Sequence, residues 1–144
     1  MFNLSSKVEY GILGVLTLCL HAGERSLSVR SIAEKETLSI RFLEQAMNRL
    51  KETGLIESIR GPYGGYRLAR APKEIKLSDV IYAMEGEKRQ KKAGFSLSSK
   101  PEILTEILSN VETVLEHHLN TINFEYLTYR VKILQEKEAL MFHI

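Results

Sequence analysis

Apolar residues recur at helical spacing three times in the first third of this chain. From Ser6 to Leu20, Val8, Ile12, Val15, Leu16 and Cys19 lie along one side, and Leu13 and Leu20 widen the stripe. A helix this apolar is expected to be buried on most of its circumference, with Phe2 and Leu4 tied against the body just before it. His21 to Arg25 reads as a polar turn around Gly23. A shorter helix follows, capped at Ser28, with Val29, Ile32 and Ala33 inward. Lys35 to Leu38 then turn the chain into a third helix. There Ser39 is the expected N-cap, with a hydroxyl able to accept from a free backbone N–H. Ile40, Leu43, Met47 and Leu50 give the apolar face, and Gly54 stands where a left-handed residue ends a helix.

The period then changes. Leu55 to Arg60 and Tyr66 to Arg70 are short strand candidates, joined by Gly61-Pro62-Tyr63-Gly64-Gly65. Leu27 is a candidate for a third short edge pairing with this hairpin. After Pro72, helical spacing resumes through Ile75, Leu77, Val80, Ile81 and Met84, with Ser78 as the expected cap and Asp79 favourably placed in the first turn. Pro101 opens a longer segment. Its apolar residues Ile103, Ile107, Leu108, Val111, Leu115, Leu119 and Ile122, with Leu104 and Val114 beside them, repeat at three and four. The stretch from Asn123 ends in Leu140-Met141-Phe142-His143-Ile144, an apolar pentapeptide expected to dock on the body or across a dimer.

Two helices joined by a short turn, then a basic hairpin, make a winged helix-turn-helix. The expected architecture is mainly α with a small β-wing, followed by a long C-terminal dimerisation helix. Residues 1–86 would form the DNA-binding domain, 87–100 a basic flexible loop, and 101–144 the dimerisation helix and tail. On the third helix Arg41, Glu44, Gln45, Asn48 and Arg49 face outward, and such donors and acceptors read base edges in a major groove. Lys7, in the first turn of the first helix, is a phosphate donor or a solvated lysine. Amphipathic helix plus hairpin also occurs in small α+β domains that bind protein, so a winged-helix interaction module stands as the alternative.

The spacing of several short pieces adds to this. Leu43-Glu44-Gln45, Gly54-Leu55-Ile56, Arg60-Gly61-Pro62-Tyr63-Gly64-Gly65-Tyr66 and the opening Ser6-Lys7-x-x-Tyr10 together resemble the Rrf-type family of bacterial winged-helix repressors. The segment around Asp79-Val80-Ile81 resembles that family's closing helix. The resemblance implies a homodimer on a palindromic operator in double-stranded DNA. The expected DNA contacts are then Lys7, Ser39, Arg41, Glu44, Gln45 and Arg49, with Arg60, Gly61, Pro62, Tyr63, Gly64 and Gly65 in the wing. Many members of the family also carry three closely spaced cysteines after the closing helix, whose thiolates hold an iron–sulfur cluster.

Composition limits the chemistry. At 144 residues and a net charge of +2, any nucleic-acid footprint must come from local patches. The run GEKRQKKAGFSLSSK from Gly86 is a solvated loop by composition, with Lys88, Arg89, Lys91 and Lys92 as alternative phosphate contacts. It contains no cysteine. Cys19 is the one thiol in the chain, which excludes an intrachain disulfide and suits a reducing bacterial cytoplasm. His117 and His118 point about 100° apart on a helix and make a poor chelating pair. No paired-carboxylate or nucleophile–base pattern suggests an enzyme, no cofactor or metal is expected, no apolar run is long enough for a membrane span, and the start lacks the pattern of a signal peptide. The signal is therefore expected from a small molecule or partner protein at the junction of the first helix, the 86–100 loop and the long helix. A thiol-based response through Cys19 is the alternative.

Overall fold

A computed structural model of the chain describes residues 4–22, 26–86 and 102–143. Phe2, the Gly23–Arg25 part of the first turn, the 87–100 loop, Pro101 and Ile144 lie outside the described residues. Six α-helices and one hairpin are described: α1 (Ser6–Leu20), α2 (Val29–Glu36), α3 (Ile40–Glu52), β1 (Ile56–Ile59), β2 (Gly65–Leu68), α4 (Leu77–Glu85), α5 (Glu102–Thr121) and α6 (Phe124–Phe142). A short 3-10 turn over Pro72–Glu74 leads from the hairpin to α4.

α1 runs through the centre and packs on α3, α4 and α6. Two glycines let it approach its neighbours: a Cβ on Gly11 would fall 2.6 Å from Met84 Cγ, and one on Gly14 would fall 2.8 Å from Met47 Sδ. Thr17, buried in α1, shares its one hydroxyl proton between Leu13 O at 2.8 Å and Glu36 Oε1 at 3.1 Å. That second bond fixes the end of α2 against α1. Ser28 caps α2 as expected, accepting from the Ser31 N–H. Thr37 then takes a left-handed conformation with φ 56°, and the chain turns into α3.

The buried side of α3 is Leu43, Ala46, Met47 and Leu50. Each fully buried large side chain there contributes about 1.5–3 kcal/mol of transfer free energy. Ile40, expected on this face, is exposed. At about 100° per residue it sits on the rim of an arc centred between Ala46 and Met47. Ser39 occupies the N-cap position, yet its hydroxyl makes no capping bond; its N–H instead donates to Tyr10 Oη at 3.2 Å.

The hairpin pairs Ile56 with Leu68 and Ile59 with Gly65. Leu27 adds the expected third edge, exchanging backbone bonds with Tyr66 at 3.0 and 2.7 Å. In α4 the expected cap is displaced by two residues. Lys76 is the N-cap and Asp79 Oδ2 accepts its N–H at 2.9 Å, while Ser78 is buried and donates to Asn120 Oδ1 at 2.5 Å.

The last two helices share the core of the first four. Leu77 N–H donates to Ile122 O at 2.8 Å and Phe124 N–H to Ile75 O at 2.9 Å, so the α5–α6 junction is strapped to the segment before α4. Leu119 and Phe124 are buried with the α1, α3 and α4 residues. The far end of α6 differs from expectation: Leu140, Met141 and Phe142 continue the helix, exposed, with Phe142 at 89%. They do not dock on the chain's own body, because the helix carries them past it.

Candidate nucleic-acid interface

Burial of Leu43, Ala46, Met47 and Leu50 turns the opposite side of α3 to solvent. Arg41, Glu44, Gln45, Asn48 and Arg49 all lie there, exposed. Exposed Ser39 stands at the start of this helix, and its backbone is held by Tyr10. On one flank, Lys7 of α1 lines a common cleft with Gln45 and Arg49. Arg49 also pairs with Glu52 at 3.2 Å, one helical turn on.

On the other flank stands the wing. Tyr66 of β2 donates its hydroxyl to Asn48 Oδ1 at 3.2 Å. Its pKa is raised, first by burial and then by the nearby Glu44 carboxylate. The phenol therefore stays protonated, and able to donate, throughout the neutral range. Arg67, itself exposed, pairs with Glu57 across the hairpin, and Arg60 stands exposed at the wing tip. Pro62 and Tyr63 are exposed beside it, and Ser26 Oγ donates to Tyr63 O at 2.5 Å, tying the tip to the segment before α2.

The wing glycines have distinct roles. Gly61 holds φ 113° in open space, a conformation that L side chains rarely adopt. A Cβ on Gly64 would meet Ile59 O at 2.5 Å, and one on Gly65 would meet Leu27 O at 2.3 Å. The wing thus needs glycine for its contact with its own chain, whatever it approaches outside.

The sequence-predicted stripe on α5 divides in two. Leu119 is buried in the chain's own core; Leu115 packs against that core, and Leu108 and Ile122 are half-buried. Ile103, Ile107, Val111 and Val114 face solvent, at 51 to 69% exposure. α5 packs chiefly on α4, where Tyr82 Oη donates to Glu116. No helix among the described residues is long and apolar enough to cross a membrane.

Cys19 lies on the inner side of α1, 4% exposed. Burial pushes its thiol up to about 11, partly offset by the Thr128 hydroxyl. Among the described residues no group of three or more His, Cys, Asp or Glu side chains could hold a metal ion. His117 and His118 are both exposed. Two features here leave no functional signal in the sequence. Tyr66 enters the sequence pattern as a strand residue and as the end of the Arg60–Tyr66 motif, with nothing that points to Asn48, and the Tyr10–Phe42 contact gives no periodic signal; the rings of Tyr10 and Phe42 stand edge to face at 6.2 Å.

The Rrf2 family, described as iron-dependent transcriptional regulator, matches residues 4–130. The regulator IscR of Photorhabdus laumondii is 38% identical over 83 residues, 58% of this chain and 51% of that protein. The chain thus matches about half the length of this relative. Among solved structures, CymR of B. subtilis, the global cysteine regulator, superposes with a TM-score of 0.79 at 30% identity, covering 90% of this chain and 98% of CymR. IscR of T. potens gives 0.79 at 33% identity, over 93% and 91%.

Proposed function

The chain belongs to the Rrf2 family of transcriptional regulators, and we propose that it acts as a dimeric, sequence-specific DNA-binding repressor on a palindromic operator. The observation that carries this is the exposed side of α3, where Arg41, Glu44, Gln45 and Asn48 project between Lys7 on one flank and the wing on the other. The α3 residues supply the base-edge chemistry. Lys7, Ser39 and Arg60 supply phosphate or minor-groove contacts, and Pro62 and Tyr63 shape the tip of the wing.

The exposed part of α5 supports the two-fold pairing in this reading. Ile103, Ile107, Val111 and Val114 form a water-facing apolar stripe on a 20-residue helix. Its self-complementary partner is the same stripe on a second copy, which sets two readers at a fixed spacing on a palindrome. Leu108, Leu115, Leu119 and Ile122 act from behind, seating α5 on its own subunit.

The family description names iron, and this chain's residues do not fit an iron–sulfur centre. Thiolate ligands need cysteine. The only cysteine here, Cys19, is buried with its pKa pushed up to about 11. The response is therefore assigned to a small molecule or a partner protein. Gel shifts with genomic fragments over a range of salt test the DNA reading. Binding that weakens steeply with salt, with a palindromic footprint, supports it; no binding at low salt overturns it.

A further inference from the structure

We propose that the cleft between the start of α1 and α3 binds an amphiphilic organic anion, a carboxylate on an aromatic or alkyl body, and that this occupant excludes DNA from Gln45 and Arg49. The cleft has a volume of about 540 Å³, within the usual range for a small-molecule site. Its floor is apolar: Tyr10, Phe42, Ala46 and Met84 line it from three helices. Phe42 is 57% exposed there, with its ring edge to face on Tyr10. Tyr10 is held in turn by the Ser39 N–H, so the aromatic wall is fixed in advance.

Charge selects the occupant. Lys7 and Arg49 line the cleft, and no carboxylate among the described residues does. Arg49 shares its Nη1 edge with Glu52, which leaves Lys7 as the principal partner for an anion. A DNA phosphate could use these cations but has no use for the floor behind them. A small anion with an apolar body uses both. Because Gln45 and Arg49 wall the cleft, the occupant stands where operator contacts would form. The exclusion half of the proposal rests on the DNA-binding function; the binding half does not.

The full chain is titrated with 2-naphthoate and with its uncharged counterpart 2-naphthylmethanol, following the Met84 methyl resonance. Naphthoate should give a saturable shift. Removing the charge, on the probe or by Lys7→Gln, should weaken binding about tenfold, the size of one charge-assisted contact. Phe42→Ala, at an exposed position, should weaken both probes and leave the fold intact. No saturable shift, equal binding of the two probes, or binding indifferent to Phe42→Ala overturns the site. In a second arm, naphthoate should release a labelled operator duplex from the native protein and fail to do so from Phe42→Ala. Simultaneous binding of probe and duplex overturns the exclusion. A protein that binds no duplex at all fails the DNA reading, while the probe titration still decides the site.

Discussion

Tyr66, on the second strand of the wing, donates its hydroxyl to the side-chain oxygen of Asn48 on α3 at 3.2 Å. An amide whose oxygen is engaged presents its NH2 group outward. The wing therefore sets which end of Asn48 faces a partner. In a major groove that end donates to base acceptors.

Tyr66→Phe removes the hydroxyl and keeps the ring. The bond is exposed, so its loss should cost at most about 1 kcal/mol of stability. Selection from a randomised operator pool should show relaxed preference at one position per half-site, with the salt slope unchanged. An unaltered preference would mean that Asn48 does not read a base. Burial and Glu44 raise the Tyr66 pKa, so the bond is present through neutral pH. The stability tied to the protonated phenol is lost only as pH rises through about 10 and above.

Arg41 and Gln45 lie on the outward side of α3 and should carry discrimination. Arg41→Ala and Gln45→Ala should each cost on the order of 1–3 kcal/mol on the cognate site. Glu44 is expected to work by exclusion, since a carboxylate near phosphate is repelled and accepts only from donors such as the cytosine amine. Glu44→Ala should bind more DNA, less selectively. Competition between cognate and scrambled duplexes measures both effects, and a uniform loss across sequences would assign Glu44 a structural role.

Arg60 should carry affinity. It is exposed at the wing tip, whereas Arg67 is occupied with Glu57. Arg60→Ala should lower the salt slope by about one phosphate contact if it lies on the backbone. An unchanged slope with altered A·T preference would place it in the minor groove.

The exposed half of α5 should hold the dimer. Ile107→Asp with Val114→Asp puts charge at solvent-facing positions, so the subunit fold should survive. Desolvating two carboxylates across a two-fold interface is costly. Light scattering should report a monomer, and operator binding should fall with it. A doubly substituted protein that remains dimeric would move the interface elsewhere, with the exposed end of α6 the next surface to test.

Period alone locates every described helix from α1 to α4, because each buries one side. It could not locate the limits of a buried arc. Ile40 continues the spacing of Leu43 and Met47, yet lies at the rim and is exposed. The α5 stripe merged two sides, since Leu115 and Leu119 pack inward while Ile107 and Val114 face out one residue around the wheel. A helix that serves two partners shows a wide stripe that names neither. Ser78 has the right chemistry for a cap, but Asp79 reaches the Lys76 N–H and Ser78 is turned to Asn120. Contacts such as Tyr66 to Asn48 leave no local trace in sequence at all.

Cys19 tests how the protein senses. Its thiol is 4% exposed, and its pKa is pushed from 9.0 to about 11, chiefly by burial. A shift of this size leaves about a hundredfold less thiolate at neutral pH than in the unfolded chain, and thiolate is the reactive species. The group is neutral below both values, so the protein loses the associated stability only as pH rises from about 9 through 11. Reaction with an aromatic disulfide reagent at neutral pH should therefore be at least about a hundredfold slower in the folded protein than in denaturant. Operator binding by the native protein and by Cys19→Ser should respond alike to peroxide. Oxidation that releases the native protein from DNA and spares the variant would make the thiol the sensor. In that case oxidant would reach the sulfur through the groove that Cys19 of α1 lines with Thr128 and Tyr129 of α6.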